Sequence, residues 1–231
     1  SRDKSHMDVD TNLFHFVSDP ETYHRPDDID EANWLDYLLK EFEDKILEIG
    51  PDKCAAFIGE PLLASGGVSI PPKGYHKQIL EICHKHDMLY ISDEVVTAWG
   101  RLGHWFASEE VFDIKPDMIT TAKGLTSGYQ PLGALLISDE LIKHVSGDDV
   151  PNSCFSNGFT YSGHPVACAA ALKNIEIFER ENLLEHAREV GPYLQQRLQE
   201  LKEIPIVGDV RGMGMLGCVE CVISKDSRVP L

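Results

Sequence analysis

Three stretches of this sequence place polar side chains directly behind short apolar runs. In MLYISDEVVTAWGR, residues 88–101, Leu89, Tyr90 and Ile91 lead into Asp93 and Glu94. In PDMITTAKG, residues 116–124, the run MITTA leads into Lys123. Upstream, CAAFIGEP, residues 54–61, ends in Glu60 and Pro61. Short apolar runs bounded by turn residues read as buried strands, so these runs carry two carboxylates and an amine to strand ends. A strand-end Asp can cap a helix, anchor a loop or face a bound cation. An apolar run followed by Asp-Glu also has the form of a magnesium-holding segment of nucleotide hydrolases, but that chemistry needs GxxxxGK[ST], which the chain lacks. Lysine is most often a solvated loop residue. At the rim of a buried sheet, partly withdrawn from water, it loses proton affinity and becomes a usable amine nucleophile, the group that Schiff-base chemistry requires.

The elements around these residues follow from periodicity. Trp34, Leu35, Leu38, Leu39, Phe42, Ile46 and Ile49 have helical spacing, and Gly50-Pro51 ends that helix. SGGVSIPPKG, 65–74, is a turn-rich loop, and GYHKQILEICHKHD after it is helical with Tyr75, Ile79, Ile82 and Cys83 on one face. GALLISDE, from Gly133, is another apolar run, with Ser138 placed to cap the helix DELIKHV. HPVACAAALKNIEIFER is an Ala-rich helix with Pro165 in its first turn. ENLLEHAREVGPYLQQRLQELK continues as helix, kinked or divided at Gly191-Pro192. The tail VGDVRGMGMLGCVECVIS reads as strand, glycine turn, strand. Strands alternating with helices, most strands continuously apolar, imply an α/β sheet covered on both faces. Such sheets bind ligands at the carboxyl ends of their strands, where Glu60, Asp93 and Lys123 stand. A domain boundary is expected near residue 203, giving 1–203 and 204–231.

Composition narrows the partners. The chain has 231 residues, 42% hydrophobic and 26% charged, enough for a real core. A formal net charge of −17 repels phosphate backbones, which argues against nucleic acid. No apolar run is long enough to span a membrane, and SRDKSHMDVD at the start is not a signal peptide. Six cysteines occur, mostly within apolar runs; Cys218 and Cys221 form CxxC, but on a strand they face opposite sides, with no second pair to complete a zinc site. No metal is expected. Free thiols favour a reducing, cytoplasmic setting.

An amine at one strand end and a carboxylate at the next fit one cofactor well. Pyridoxal phosphate needs a lysine for its aldehyde and a carboxylate for its pyridine nitrogen. A facing negative charge raises the affinity of that nitrogen for its proton by roughly 1–3 pKa units, at about 1.4 kcal/mol per unit.

The chained motifs strengthen that reading. DEVVTAWGRLGHWFASEEVFDIKPDMITTAKGLTSGYQPLGALLISDE, with Glu60-Pro61 upstream and FTYSGHPVACAAALKNIE and VGDVRGMGMLGCVE downstream, resembles the class III pyridoxal-phosphate aminotransferases, the omega-aminotransferases. The likeness covers roughly residues 31–224. It implies fold type I: a three-layer α/β/α large domain with a mostly parallel sheet, plus part of a small C-terminal α/β domain. It implies that Asp93 binds the pyridine nitrogen and that Val96 packs against the ring. Lys123 would form the Schiff base and carry the proton between substrate and cofactor. Thr160 would reach the cofactor phosphate of the neighbouring subunit, hence a homodimer with composite sites. Glu60 would lie near the cofactor. Without the resemblance, Thr160 reads as a hydroxyl on the approach to a helix. Glu94, alternating with Asp93, is expected to point away, paired with a base such as Arg101 or anchoring the loop.

The implied reaction moves an amino group from an amino acid, omega-amino acid or amine to a keto acid such as pyruvate. Another reaction of the same fold (aminomutase or racemase) and a non-catalytic truncated homologue are the alternatives. The chain begins after the family's glycine- and serine-rich phosphate cup and ends before the arginine for the substrate carboxylate, so these residues alone are expected to bind cofactor weakly and transaminate poorly. Ala98-Trp99 replace the family's usual glycine and aromatic, which implies a stiffer loop. Ser65 replaces the gating glutamate of the ornithine-type branch, which favours the omega-amino acid:pyruvate type.

Overall fold

The computed structural model describes residues 9–146, 152–226 and 228–231. The first helix, α1 (Glu31–Ile49), buries Trp34, Leu38, Phe42 and Ile46. That spacing of four puts the side chains in one stripe, and each contributes about 1.5–3 kcal/mol on leaving water. Gly50, at φ 97°, ends the helix, and its N–H donates to the Ile46 carbonyl.

Strand β1 (Ala56–Gly59), α2 (Tyr75–Lys85) and β2 (Leu89–Asp93) follow in order. β1 and β2 pair in parallel with Ile58 opposite Ile91, so α2 is the crossover that a parallel pair requires. The core joins the α1 stripe to Tyr75, Ile79 and Cys83 of α2 and to Tyr90 of β2. After α3 (Ala107–Glu110), β3 (Met118–Thr121) pairs in parallel with β2, Asp93 opposite Thr120. β4 (Ala134–Ile137) then pairs antiparallel with β3. The resulting order is β1-β2-β3-β4.

The sheet is mainly parallel, as expected, but its two faces differ. The face bearing Phe57 and Tyr90 packs on α1 and α2, whereas on the other, Ile58 is 59% exposed and Leu135 45% exposed. Coverage of both faces, expected from the apolar runs, is therefore incomplete among the described residues. Continuous apolarity records that a strand can be buried on both sides, not which element buries it.

The rest of the chain forms α4 (Asp139–Ser146), α5 (Pro165–Arg180), α6 (Leu183–Gln199) and a hairpin of β5 (Val207–Met213) and β6 (Leu216–Cys221). The Ser138 Oγ accepts from the Leu141 N–H, the cap expected from sequence. Pro165 occupies the first turn of α5. Pro192 lies inside α6, which runs unbroken through it. Arg211 of β5 ties the hairpin to the loop after β1: it donates through Nε to the Gly67 carbonyl and pairs with Asp209 and Glu220. All six cysteines are free.

Candidate active site at the strand ends

Alternation along β2 sorts the two adjacent carboxylates. Tyr90, Ser92 and Glu94 are buried, while Leu89, Ile91 and Asp93 are half-buried on the opposite face. Asp93 closes the strand. Its Oδ1 accepts from the Val95 N–H at 3.1 Å, which steadies the carboxylate at the head of the turn that follows.

Glu94 turns inward and is fully buried. Its carboxylate accepts from the Ala107 N–H at 2.6 Å, the Ser108 N–H at 2.8 Å and the Thr97 hydroxyl at 3.1 Å. Of the two arrangements expected for Glu94, loop anchoring is the one found; Arg101 is exposed. Burying a carboxylate is costly unless its oxygens are hydrogen-bonded, and these three donors meet that requirement while fastening residues 94–108 into a closed loop.

Inside that loop Trp99 takes φ 59°, a left-handed conformation unusual for an aromatic residue. It is held on both sides. Its N–H donates to the Trp105 carbonyl at 2.9 Å, and its indole Nε1 donates to Thr121 Oγ1 at 2.7 Å. These two bonds fix both the backbone and the indole of Trp99 within the loop.

Strand β3 ends at Thr121, two residues before Lys123, which opens a short 3₁₀ turn, Lys123–Leu125. The expectation that the strand runs to Lys123, leaving it partly withdrawn from water, is corrected here. Lys123 is exposed at φ 41°, because the turn lifts it off the sheet. Glu60 follows β1 directly, and its Oε2 accepts from the Ala64 N–H at 3.1 Å. Val96 is half-buried in the turn after β2. Glu60, Asp93 and the turn that carries Lys123 thus stand at the carboxyl ends of β1, β2 and β3, with Val96 in the turn after β2. Thr160 is not on that sheet. It lies on an exposed turn ahead of α5, where Phe159 and Ser162 exchange hydrogen bonds at 2.9 Å.

Two polar groups that support this edge escaped the sequence reading. His76 is buried on α2, its Nδ1 2.7 Å from the Tyr90 hydroxyl and its Nε2 2.7 Å from the Pro61 carbonyl. Since a carbonyl only accepts, Nε2 carries the proton and Nδ1 accepts from Tyr90. Burial pushes the His76 pKa down to about 4. Asn174 of α5 donates through Nδ2 to the Gly124 and Leu125 carbonyls, at 2.8 and 3.1 Å. A signal for Asn174 existed: asparagine is a poor helix former, so one inside an Ala-rich helix invites the question of what it binds.

Comparison with known proteins places the chain in a family. The class-III aminotransferase family matches residues 2–229. This chain belongs to that family. It is 42% identical over 213 residues to a putrescine–pyruvate aminotransferase of Pseudomonas aeruginosa, covering 92% of this chain and 46% of that one. It is 42% identical over 203 residues to a mitochondrial gamma-aminobutyrate transaminase of Solanum lycopersicum, covering 88% of this chain and 39% of that one. Among solved structures, an omega transaminase of Pseudomonas jessenii in complex with PMP superposes with a TM-score of 0.91 at 39% identity, over 99% of this chain and 50% of that one. A thermostable (S)-enantioselective omega-transaminase from Thermomicrobium roseum gives 0.85 at 42% identity, over 92% of this chain and 47% of that one. The chain thus spans about half the length of the proteins it matches. The fold is that of these transaminases, and the family's cofactor is pyridoxal 5′-phosphate.

The residues present fit that cofactor in kind. A carboxylate ends one strand and a primary amine stands in the turn just past its parallel neighbour, which are the two groups that its ring nitrogen and aldehyde require. Among the described residues no cluster of three or more His, Cys, Asp or Glu is arranged to hold a metal, and no helix is long and apolar enough to cross a membrane.

Proposed function

We propose that this chain carries the lysine- and aspartate-bearing part of an active site that transfers an amino group from an amino acid, omega-amino acid or amine to a keto acid such as pyruvate. The observation that carries this reading is the pairing of β2 with β3. Asp93 stands opposite Thr120, and Lys123 follows three residues later, in the 3₁₀ turn just beyond the end of that neighbouring strand. Pyridoxal 5′-phosphate supplies an aldehyde to a primary amine and an electron-accepting ring when its nitrogen is protonated.

In this reading the Asp93 carboxylate holds the proton on the ring nitrogen, and its bond from the Val95 N–H keeps it oriented. The Lys123 Nζ would hold the cofactor aldehyde and would serve as the base that moves the substrate proton. Val96 would pack against the ring, and Glu60 would lie near the cofactor. Named relatives that act on putrescine with pyruvate and on gamma-aminobutyrate support an omega-amino donor, as does Ser65 in place of a gating glutamate.

The same reading makes the protein a homodimer in which Thr160 serves the cofactor phosphate of the second copy. Phe159 is 86% exposed and Tyr161 82% exposed on either side of Thr160. Large exposed aromatic residues grouped on one loop mark a contact surface, and a second copy is the occupant proposed. Residues 204–231, the β5–β6 hairpin onward, begin a second, smaller domain. Six free thiols support a cytoplasmic setting.

Visible absorption that develops when pyridoxal 5′-phosphate is added to the purified chain is expected to vanish in Lys123→Ala. The assignment of Lys123 fails if the spectrum is unchanged by that substitution.

A further inference from the structure

Lys123 holds a backbone conformation that it does not prefer. At φ 41° it lies in the left-handed region, where a side chain with a Cβ is strained and a surrounding contact has to impose the geometry. The backbone bonds of the turn are short-range: Leu125 N–H to Ala122 C=O, Thr126 N–H to Lys123 C=O and Ser127 N–H to Gly124 C=O, at 2.9, 3.3 and 3.2 Å. Two outside elements clamp it. From the loop after β2, Trp99 lies so close that a Cβ on Gly124 would come within 2.7 Å of the Trp99 Cβ. From α5, Asn174 grips the turn with three hydrogen bonds. Its Nδ2 donates to the Gly124 and Leu125 carbonyls, and its Oδ1 accepts from the Ser127 hydroxyl at 2.8 Å.

We propose that Asn174 is a positioning residue for Lys123. By fixing the two carbonyls that follow the lysine, it holds the Lys123 turn in its left-handed form and so sets where the amine stands relative to Asp93. The chemistry matches the task. One planar amide offers two donors and an acceptor on a short stem, and it is carried on α5, an element separate from the turn it binds. A helical alanine would cost less in propensity but would leave three turn groups without this partner. The proposal rests on the reading of Lys123 as the attached amine, and its test separates the two.

Asn174→Asp keeps the side chain's size and its acceptor for Ser127, but turns an oxygen toward the two carbonyls. In that variant, hydrogen-exchange protection at the Leu125, Thr126 and Ser127 amides is expected to fall about tenfold or more, with the β5–β6 hairpin unchanged. Lowering the pH until the introduced carboxylate takes a proton restores one donor, so protection recovers in Asn174→Asp and not in Asn174→Ala. Reductive trapping of pyridoxal 5′-phosphate at Lys123, measured by peptide mass against exposed Lys53, falls about fivefold. Ser127→Ala removes one exposed partner of the clamp without touching the core, and lowers the same trapping ratio by about twofold.

Unchanged protection in both Asn174→Asp and Ser127→Ala overturns the clamp. A loss of protection with no loss of trapping overturns its positioning role. Trapping at Lys123 no greater than at Lys53 in the unaltered chain overturns the Schiff-base reading instead, and exchange still decides the clamp.

Discussion

Asp93 and Glu94 are neighbours in sequence and opposites in structure. Asp93 is half-buried and accepts a local N–H two residues on. Glu94 is wholly buried and binds two amides and a hydroxyl across the loop it closes. The same division separates the outer rim of the sheet from the layer behind it. Behind the rim, Glu94, Thr121, His76 and Tyr90 are hydrogen-bonded to neighbouring elements. On the rim, Asp93 and Lys123 retain capacity to bind something else. A reacting group needs that capacity, and it keeps a fixed position when the neighbours behind it are held by packing and hydrogen bonds of their own.

The largest break in this contrast should come from Glu94→Ala. It strands two buried N–H groups and a hydroxyl at about 1–3 kcal/mol each, a loss on the order of 4 kcal/mol. Asp93→Ala should cost under about 1 kcal/mol while removing cofactor-dependent absorption. Urea unfolding of the two variants measures the difference, and equal losses would erase the distinction between rim and support.

The next effect is one of pH. His76 titrates near 6.5 when unfolded and near 4 when folded. Between those values the unfolded chain binds a proton that the folded chain refuses, so stability is full above about pH 6.5 and falls as the pH drops toward 4. At about 1.4 kcal/mol per unit the total is about 3 kcal/mol. Urea midpoints across that window should fall steeply in the unaltered chain and less so in His76→Gln, because glutamine can bridge Pro61 and Tyr90 without titrating.

The smallest expected change is a gain. Lys123→Gly relieves a left-handed L-residue, worth about 1 kcal/mol, and raises the thermal midpoint while ending attachment of the cofactor. A drop in midpoint would mean that the lysine stem itself supports the turn.

Much of this arrangement is local and therefore readable. Two-residue alternation places Asp93 and Glu94 on opposite faces. Helical spacing marks Trp34, Leu38, Phe42 and Ile46 as one stripe, and cap chemistry marks Ser138. The chained motifs from Glu60 to Thr160 identify the family. What escaped reading was decided by partners distant along the chain. Glu94 meets amides 13 and 14 residues on, and Asn174 reaches back 50 residues to Gly124. The exposure of Lys123 depended on where a ladder of hydrogen bonds stopped.

Residue order alone settled the type of the main helices and strands, because periodicity and capping act within a few residues of one another. Only the folded chain settled which polar groups are spent on holding the scaffold and which stay open for chemistry. Hydrogen bonds are made between whatever packing brings within about 3 Å, and packing is a property of the whole molecule.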